Sequence, residues 1–252
     1  MILFDVHAHL DFDDFHDDLD EVLEGCEAAG VKAVVANGIG PESNRHVIRL
    51  SREYGIVKPA LGYYPVHVWE DGLGAVRAEL DVMRREAPVA LGEVGLDYKE
   101  CGEDGDCHED VQQEAFREFI RLAKELDVPI IVHSRKAEED VLDILEEEGA
   151  SKVVLHCFMG KKRLVERAAG LGYSFSVPVT VAKLEQLQWL VRHVPLKQLL
   201  TETDSPYLGP VRGERNDPRN VRIAVEKVAE LKGMDPSEVA NVLFMNYQRL
   251  FL

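Results

Sequence analysis

The sequence predicts a single (β/α)8 barrel of the TIM type, of the metal-dependent hydrolase kind, and three observations carry that expectation. Eight short apolar runs, most rich in β-branched residues, alternate with longer amphipathic stretches. The chain has 252 residues, the size of such a barrel. No Gly/Ser-rich linker or low-complexity tract divides it, so residues 1–252 read as one domain. Apolar strands repeated in βα units imply parallel pairing and right-handed crossovers. A doubly wound sheet is the alternative, but its usual mark, G-x-G-x-x-G after the first strand, is absent.

The first strand is ILFDVHA (2–8), an apolar run that opens the chain. KAVVANG (32–38) and IVKPALGYY (56–64) follow, then VALGEVG (89–95), where Gly92 and Gly95 flank Glu93 and permit close backbone approach. After it, DVQQEAFREFIRLAKEL repeats Phe116, Phe119, Ile120 and Ala123 at three- and four-residue steps, a helix with one apolar face. PIIVH (129–133), KVVLH (152–156), YSFSV (173–177) and QLLTETD (198–204) complete the eight strands. Asp217 followed by Pro218 reads as an N-cap and first helical position.

Charge constrains the partner. Lys and Arg total 29 against 46 Asp and Glu, a net −17 that repels polyanions instead of steering them. Much of the excess is local: residues 11–27, DFDDFHDDLDEVLEGCE, contain no Lys or Arg and read as a solvated helix face. A nucleic-acid substrate would therefore be held by local cations. MILFDVHAHL has no basic n-region, and no apolar run approaches the roughly 18 residues of a membrane span, so the expectation is a cytoplasmic protein with no membrane partner. Of four cysteines, Cys26 and Cys157 fall in core segments. Cys101 and Cys107 lie in KECGEDGDCHED as C-x5-C and could pair or bind a metal, but without a close C-x2-C spacing two loop thiols is the favoured reading.

Barrels keep their chemistry at the C-terminal strand ends. In FDVHAHLDF, His7 and His9 share one face of a strand while Val6 and Ala8 take the other. One H-x-H alone is an ordinary polar strand end. Here Glu93, His133, His156 and Asp204 sit at or near the ends of the fourth, fifth, sixth and eighth strands, so four imidazoles and two carboxylates converge on one mouth. Such a set can hold two ions, with Glu93 bridging, His7, His9 and Asp204 completing one site, and His133 with His156 the other. Two ions about 4 Å apart can activate water on one side of a phosphorus and stabilise the leaving oxygen on the other. Mostly imidazole ligands suit zinc, manganese or iron better than magnesium.

The motifs DVHAHLD, GEVGLDY, PIIVHSR, LHCFMG, TETDSPYL, RGERNDP and NYQRLF, with the Gln113 and Phe116 helix, run nearly end to end. With them the sequence resembles the TatD family of metal-dependent deoxyribonucleases, within the amidohydrolase superfamily. The resemblance implies a two-metal site of His7, His9, Glu93, His133, His156 and Asp204, with Mg2+ as the family's ion. It also implies DNA as substrate, cut often from the 3′ end, with no obligate protein partner. Two departures bear on substrate preference. The family's G-x-H-P is GYYP here, with Tyr64 in place of the His and His67 displaced by three, and HCFSG is HCFMG, with Met159 in place of Ser.

Asp204 and Glu93 are the candidate catalytic residues: Asp204 binds a metal and accepts a proton from the attacking water. Arg135 is a candidate phosphate fork, its alternative a salt bridge with Glu138 or Glu139. Arg212, Arg215 and His67 are further candidates for substrate binding. Lys161, Lys162 and Arg163 read as a solvated face, and Tyr98 and Tyr207 as packing more readily than as base platforms. A hydrolase of a small ester, amide or phosphoester on the same barrel is the alternative function, favoured by the acidic surface. A histidine-rich phosphoesterase ending its ligands in D-x-H is disfavoured, because Ser205 and Pro206 follow Asp204. A silent scaffold is disfavoured too, since convergent buried polar groups are costly to keep.

Overall fold

The computed structural model describes residues 1–102 and 106–252. The eight strands form one parallel sheet in sequence order. They are β1 (Leu3–Ala8), β2 (Val31–Asn37), β3 (Val57–Leu61), β4 (Ala90–Asp97), β5 (Ile130–Arg135), β6 (Val153–Leu155), β7 (Ser174–Val177) and β8 (Leu199–Thr201). The sheet closes just beyond β8, where Asp204 N donates to His7 O at 2.8 Å, His9 N donates to Ser205 O at 2.7 Å, and Ala8 bridges Ser205. This seam sets Asp204 between the two histidines of β1.

Helices α1 (Leu19–Ala29), α2 (Pro41–Glu53), α3 (Pro65–Glu86), α4 (Glu109–Leu126), α5 (Glu138–Glu147), α6 (Lys162–Gly170), α7 (Glu185–His193) and α8 (Val221–Lys232) surround the barrel. A further helix, α9 (Pro236–Phe251), packs against β8 and β1. There Tyr247 stacks on Phe4 with ring centres 5.0 Å apart, and the Asn246 amide donates to the carbonyls of Leu196 and Leu199. The apolar repeat of α4 is buried as its spacing predicts: Phe116, Phe119, Ile120 and Ala123 all face the core. Asp217 caps its turn, its carboxylate accepting from Arg219 N at 2.8 Å.

Several boundaries differ from the sequence expectation. β3 stops at Leu61, because Gly62 passes so close to β4 that a side chain there would meet Glu93 N at 2.3 Å, and Pro65 then starts α3. β6 stops at Leu155 and β8 at Thr201, so His156 and Asp204 belong to the turns just past the strands. Gly95 fits its expected role: its φ is +143°, and a Cβ would lie 2.1 Å from His133 O. The acidic stretch 11–27 is helical throughout only from Leu19; Asp13–Phe15 form a short 3-10 turn at the mouth. Cys101 and Cys107 are joined in a disulfide, against the expectation of two free thiols. Gly102 N donates to Asp106 O at 2.8 Å, a reversal that brings the two cysteines together.

Many of the arginines are paired across the helix surfaces. Arg77 pairs with Glu114 and Glu118, Arg84 with Glu125, Arg121 with Glu148, and Arg167 with Asp143 and Glu146, each tying one helix to the next. Exposed pairs of this kind contribute little to stability. Each such pair occupies a cation that could otherwise meet a polyanion. Among the described residues, no helix is long and apolar enough to cross a membrane.

Candidate metal centre

His7 Nε2 and His9 Nε2 approach to 3.2 Å, and each lies 3.5 Å from both Glu93 Oε2 and Asp204 Oδ1. His7, His9 and Asp204 thus form one set of converging ligand atoms, with Glu93 Oε2 at the same distance from both imidazoles and itself grouped with His133 and His156. A cation with ligands at about 2.1 Å has ligand-to-ligand edges of about 3.0 Å in an octahedron and about 3.4 Å in a tetrahedron, so the spacing fits a metal shell. The chemistry of the atoms fits as well. Asn37 O lies 3.0 Å from His9 Nδ1 and can only accept, so Nδ1 carries the proton and Nε2 turns its lone pair to the site.

On the other flank, Glu93 Oε1 lies 2.7 Å from His133 Nδ1, so the two oxygens of one carboxylate face opposite sides of the site. Glu93, His133 and His156 bring further lone-pair atoms within 4.8 Å of one another, and the His7 and His156 rings stack at 3.7 Å. Behind these histidines stand two more carboxylates. Glu202, fully buried, takes His156 Nδ1 at 2.8 Å and accepts from Cys157 N at 3.0 Å. Asp97, equally buried, takes His133 Nε2 at 3.0 Å and the Tyr64 hydroxyl at 3.0 Å.

The electrostatics are those of a cation sink. Burial opposes ionisation of Glu93, yet hydrogen bonds from His133 and His7 hold its carboxyl well below the usual range. Asp204 is lowered in the same way, against burial, by His9 and the neighbouring imidazoles. Burial also opposes charge on His133 and His156, but the carboxylates around them raise His133 to about 9 and His156 to about 10. Glu93 and Asp204 line a cavity of about 690 Å³, with Asp97 and Glu202 buried behind its histidines, and once those histidines give up their protons the four carboxylates present a charge that divalent cations match.

The model of TatD related DNase matches residues 4–252. The chain belongs to the TatD family. It is 37% identical over 259 residues to the uncharacterized metal-dependent hydrolase YabD of Bacillus subtilis, covering 99% of each chain. It is 38% identical over 259 residues to the deoxyribonuclease TATDN3 of Homo sapiens, covering 99% of this chain and 94% of that protein. Among solved structures, YjjV, a TatD homologue from Escherichia coli, superposes with a TM-score of 0.87 at 30% identity, covering 99% of this chain and 97% of that one. The fold and the hydrolase class of this TatD-family chain thus agree with what its motifs imply.

The six residues read from the sequence as a metal set lie together in this TatD-family barrel, and of the four substrate candidates Arg135 and His67 join them at the mouth while Arg212 and Arg215 do not. Arg135 lines the mouth with a side chain 41% exposed and donates to Glu100 at 2.7 Å, not to Glu138 or Glu139. His67 also lines the mouth, its Nδ1 donating to Ile39 O at 2.9 Å. Arg215 is drawn away: its guanidinium pairs with the Asp18 carboxylate and lies over the Phe15 ring at 4.9 Å. Arg212 is exposed and lies outside the residues that line the cavity. Lys162 sits over Trp189 and Arg163 pairs with Glu139, as a surface face should. Tyr98 is occupied by Asp140 and Gln113.

Sequence reasoning passed over Asp97 and Glu202, though the signal was there. Asp97 lies four residues after Glu93 in one strand, and Glu202 two before Asp204, both spacings that keep the same face under a period of two.

Proposed function

We propose that this chain, working as a single barrel domain, hydrolyses phosphodiester bonds of single-stranded DNA from the 3′ end, with two divalent cations held by His7, His9, Glu93, His133, His156 and Asp204. The observation that carries the proposal is the division of Glu93, with Oε2 3.5 Å from both His7 and His9 and Oε1 2.7 Å from His133. One carboxylate so placed serves two neighbouring ions. The kinship with a relative named a deoxyribonuclease supports the choice of substrate. The histidine-rich set favours Mn2+ or Zn2+ over the Mg2+ that the family resemblance implies.

Bound there, divalent cations supply positive charge to the phosphoryl oxygens and lower the pKa of water. The chain's own residues do the rest. Asp204, ionised and within 3.5 Å of His7 and His9, orients the attacking water and takes its proton. Glu202 and Asn37 fix the tautomer and tilt of His156 and His9, so their lone pairs face inward before substrate arrives. Arg135 donates to the exposed Glu100 at 2.7 Å and lies 3.8 Å from the buried Asp97, and exchanging the exposed partner turns its fork to a phosphate.

One observation favours the second reading, a small phosphoester or ester substrate. Beside the mouth lies a second cavity of about 700 Å³ that shares Phe12, Ile39 and His67 with it and carries Asp11, Asp13, Asp14, Glu42, Glu70 and Asp71. A long polyanion is repelled on that side. A 5′-labelled single-stranded oligonucleotide, incubated with wild type and Asp204→Ala in EDTA and in Mg2+, Mn2+ or Zn2+, separates the readings. The proposal expects a metal-dependent ladder shortening from the 3′ end and lost in the variant. No cleavage by metal-loaded wild type moves the assignment to the small substrate.

A further inference from the structure

We propose that the corner formed by Phe12 and Tyr207 is a nucleobase subsite that holds the base next to the bond being cut. The inference rests on the phosphodiesterase reading and adds to it the part of the substrate that selects an unpaired strand. Tyr207 lines the mouth cavity and is 55% exposed, so it does not serve as packing. Its backbone is nevertheless held on both sides: Tyr207 N donates to Asp204 O at 2.8 Å, and the Asn216 amide donates to Tyr207 O at 2.7 Å. The ring is thus held at a fixed place on the cavity wall with more than half of its surface open.

The surrounding rings say what that partner is. Phe12 stacks on His9, the rings 4.9 Å apart and 19° from parallel, so its position is fixed by the metal centre itself. Tyr207 meets Phe12 at 6.0 Å and 77°, which makes a right-angled aromatic corner on the cavity wall. A flat, polarisable group can stack on one ring and place its edge against the other. Nucleobases stack on aromatic side chains whatever their sequence, and a base held in a duplex has no free face to offer. Tyr207 N donates to Asp204 O and Phe12 stacks on His9, so the corner adjoins the metal centre within one cavity, where a bound base would bring its own phosphate toward that centre. The cavity of about 690 Å³ lies within the roughly 300–1,000 Å³ of small-ligand pockets and admits a nucleotide.

Binding tests this without turnover. The dissociation constants of thymidine 5′-monophosphate and of deoxyribose 5-phosphate, which lacks the base, are measured calorimetrically in Mn2+ for wild type, Tyr207→Ala and Tyr207→Phe. The expected result is that wild type prefers the nucleotide by roughly tenfold or more. Tyr207→Ala erases that preference while binding deoxyribose 5-phosphate as wild type does, and Tyr207→Phe keeps it. The inference is overturned if wild type shows no preference or binds neither compound, if Tyr207→Ala retains the preference, or if Tyr207→Ala weakens both compounds alike. A wild type that binds the base but cuts no oligonucleotide would overturn the nuclease reading and leave the subsite standing.

Discussion

On the floor of the mouth, the Nε2 atoms of His7 and His9 stand 3.2 Å apart and each 3.5 Å from an oxygen of Glu93 and of Asp204, each set by a strand or by the seam that closes the barrel. On the rim, Arg135, Arg212 and Arg215 meet three fates: one lines the cavity, one stands exposed outside it, and one is bound to Asp18. The floor is rigid because its geometry follows from strand pairing and from buried partners. The rim is set by competition, in a chain with 46 acidic residues, for each of 29 basic ones. Chemistry is therefore fixed by the barrel, while affinity rests on the few side chains that this competition leaves free.

The sharpest way to break the comparison is to neutralise one floor carboxylate. Asp204→Asn removes a charge shared by His7 and His9, and the rate of phosphodiester hydrolysis should fall on the order of 10³-fold or more, from the several kcal/mol that metal-site electrostatics supply. Steady-state cleavage of a labelled oligonucleotide checks it. Next in size is the support behind the floor. Glu202→Gln keeps the shape but loses the charge on His156 Nδ1, and Mn2+ affinity, read by titration, should weaken roughly 10- to 100-fold. Removal of metal should also show in stability. At a free Mn2+ concentration of about 100 times its dissociation constant, binding stabilises by about 2.7 kcal/mol. EDTA should then lower the Tm of wild type by about 5–10 °C and that of Asp204→Asn by much less.

The rim predictions are smaller. Arg135→Ala should raise KM for an oligonucleotide about tenfold with kcat nearly unchanged, the pattern of a lost phosphate contact made equally in ground and transition states. Arg215→Ala should leave KM alone and lower Tm by about 1–2 °C, because its partners are Asp18 and Phe15. A large KM effect in Arg215→Ala with none in Arg135→Ala would reverse the assignment of the two arginines.

The same contrast explains what the sequence made legible. His7 and His9 were readable because a period of two places both on one face, and Glu93 and His133 because their strand ends point to one mouth. His156 and Asp204 were readable as residues though not as strand: both lie past the last ladder bonds of β6 and β8, where the chain turns, and Asp204 takes a φ of +57°. The bond from Arg135 to Glu100 and that from Arg215 to Asp18 span 35 and 197 residues. No local pattern reaches that far, and neither does one reveal which aromatic keeps its face open. Tyr207 read as packing until its exposure was known. The disulfide was missed for the same reason, since the reversal at Gly102 that brings Cys101 to Cys107 leaves no periodic trace.

The central claim is that six side chains at the strand ends hold two divalent cations with Glu93 between them. Calorimetric titration of wild type with Mn2+, scored for stoichiometry and repeated with Glu93→Gln, tests it most directly. The account predicts two ions per chain in wild type and a marked weakening of both in Glu93→Gln. One ion per chain, or two ions whose binding ignores Glu93, would contradict it.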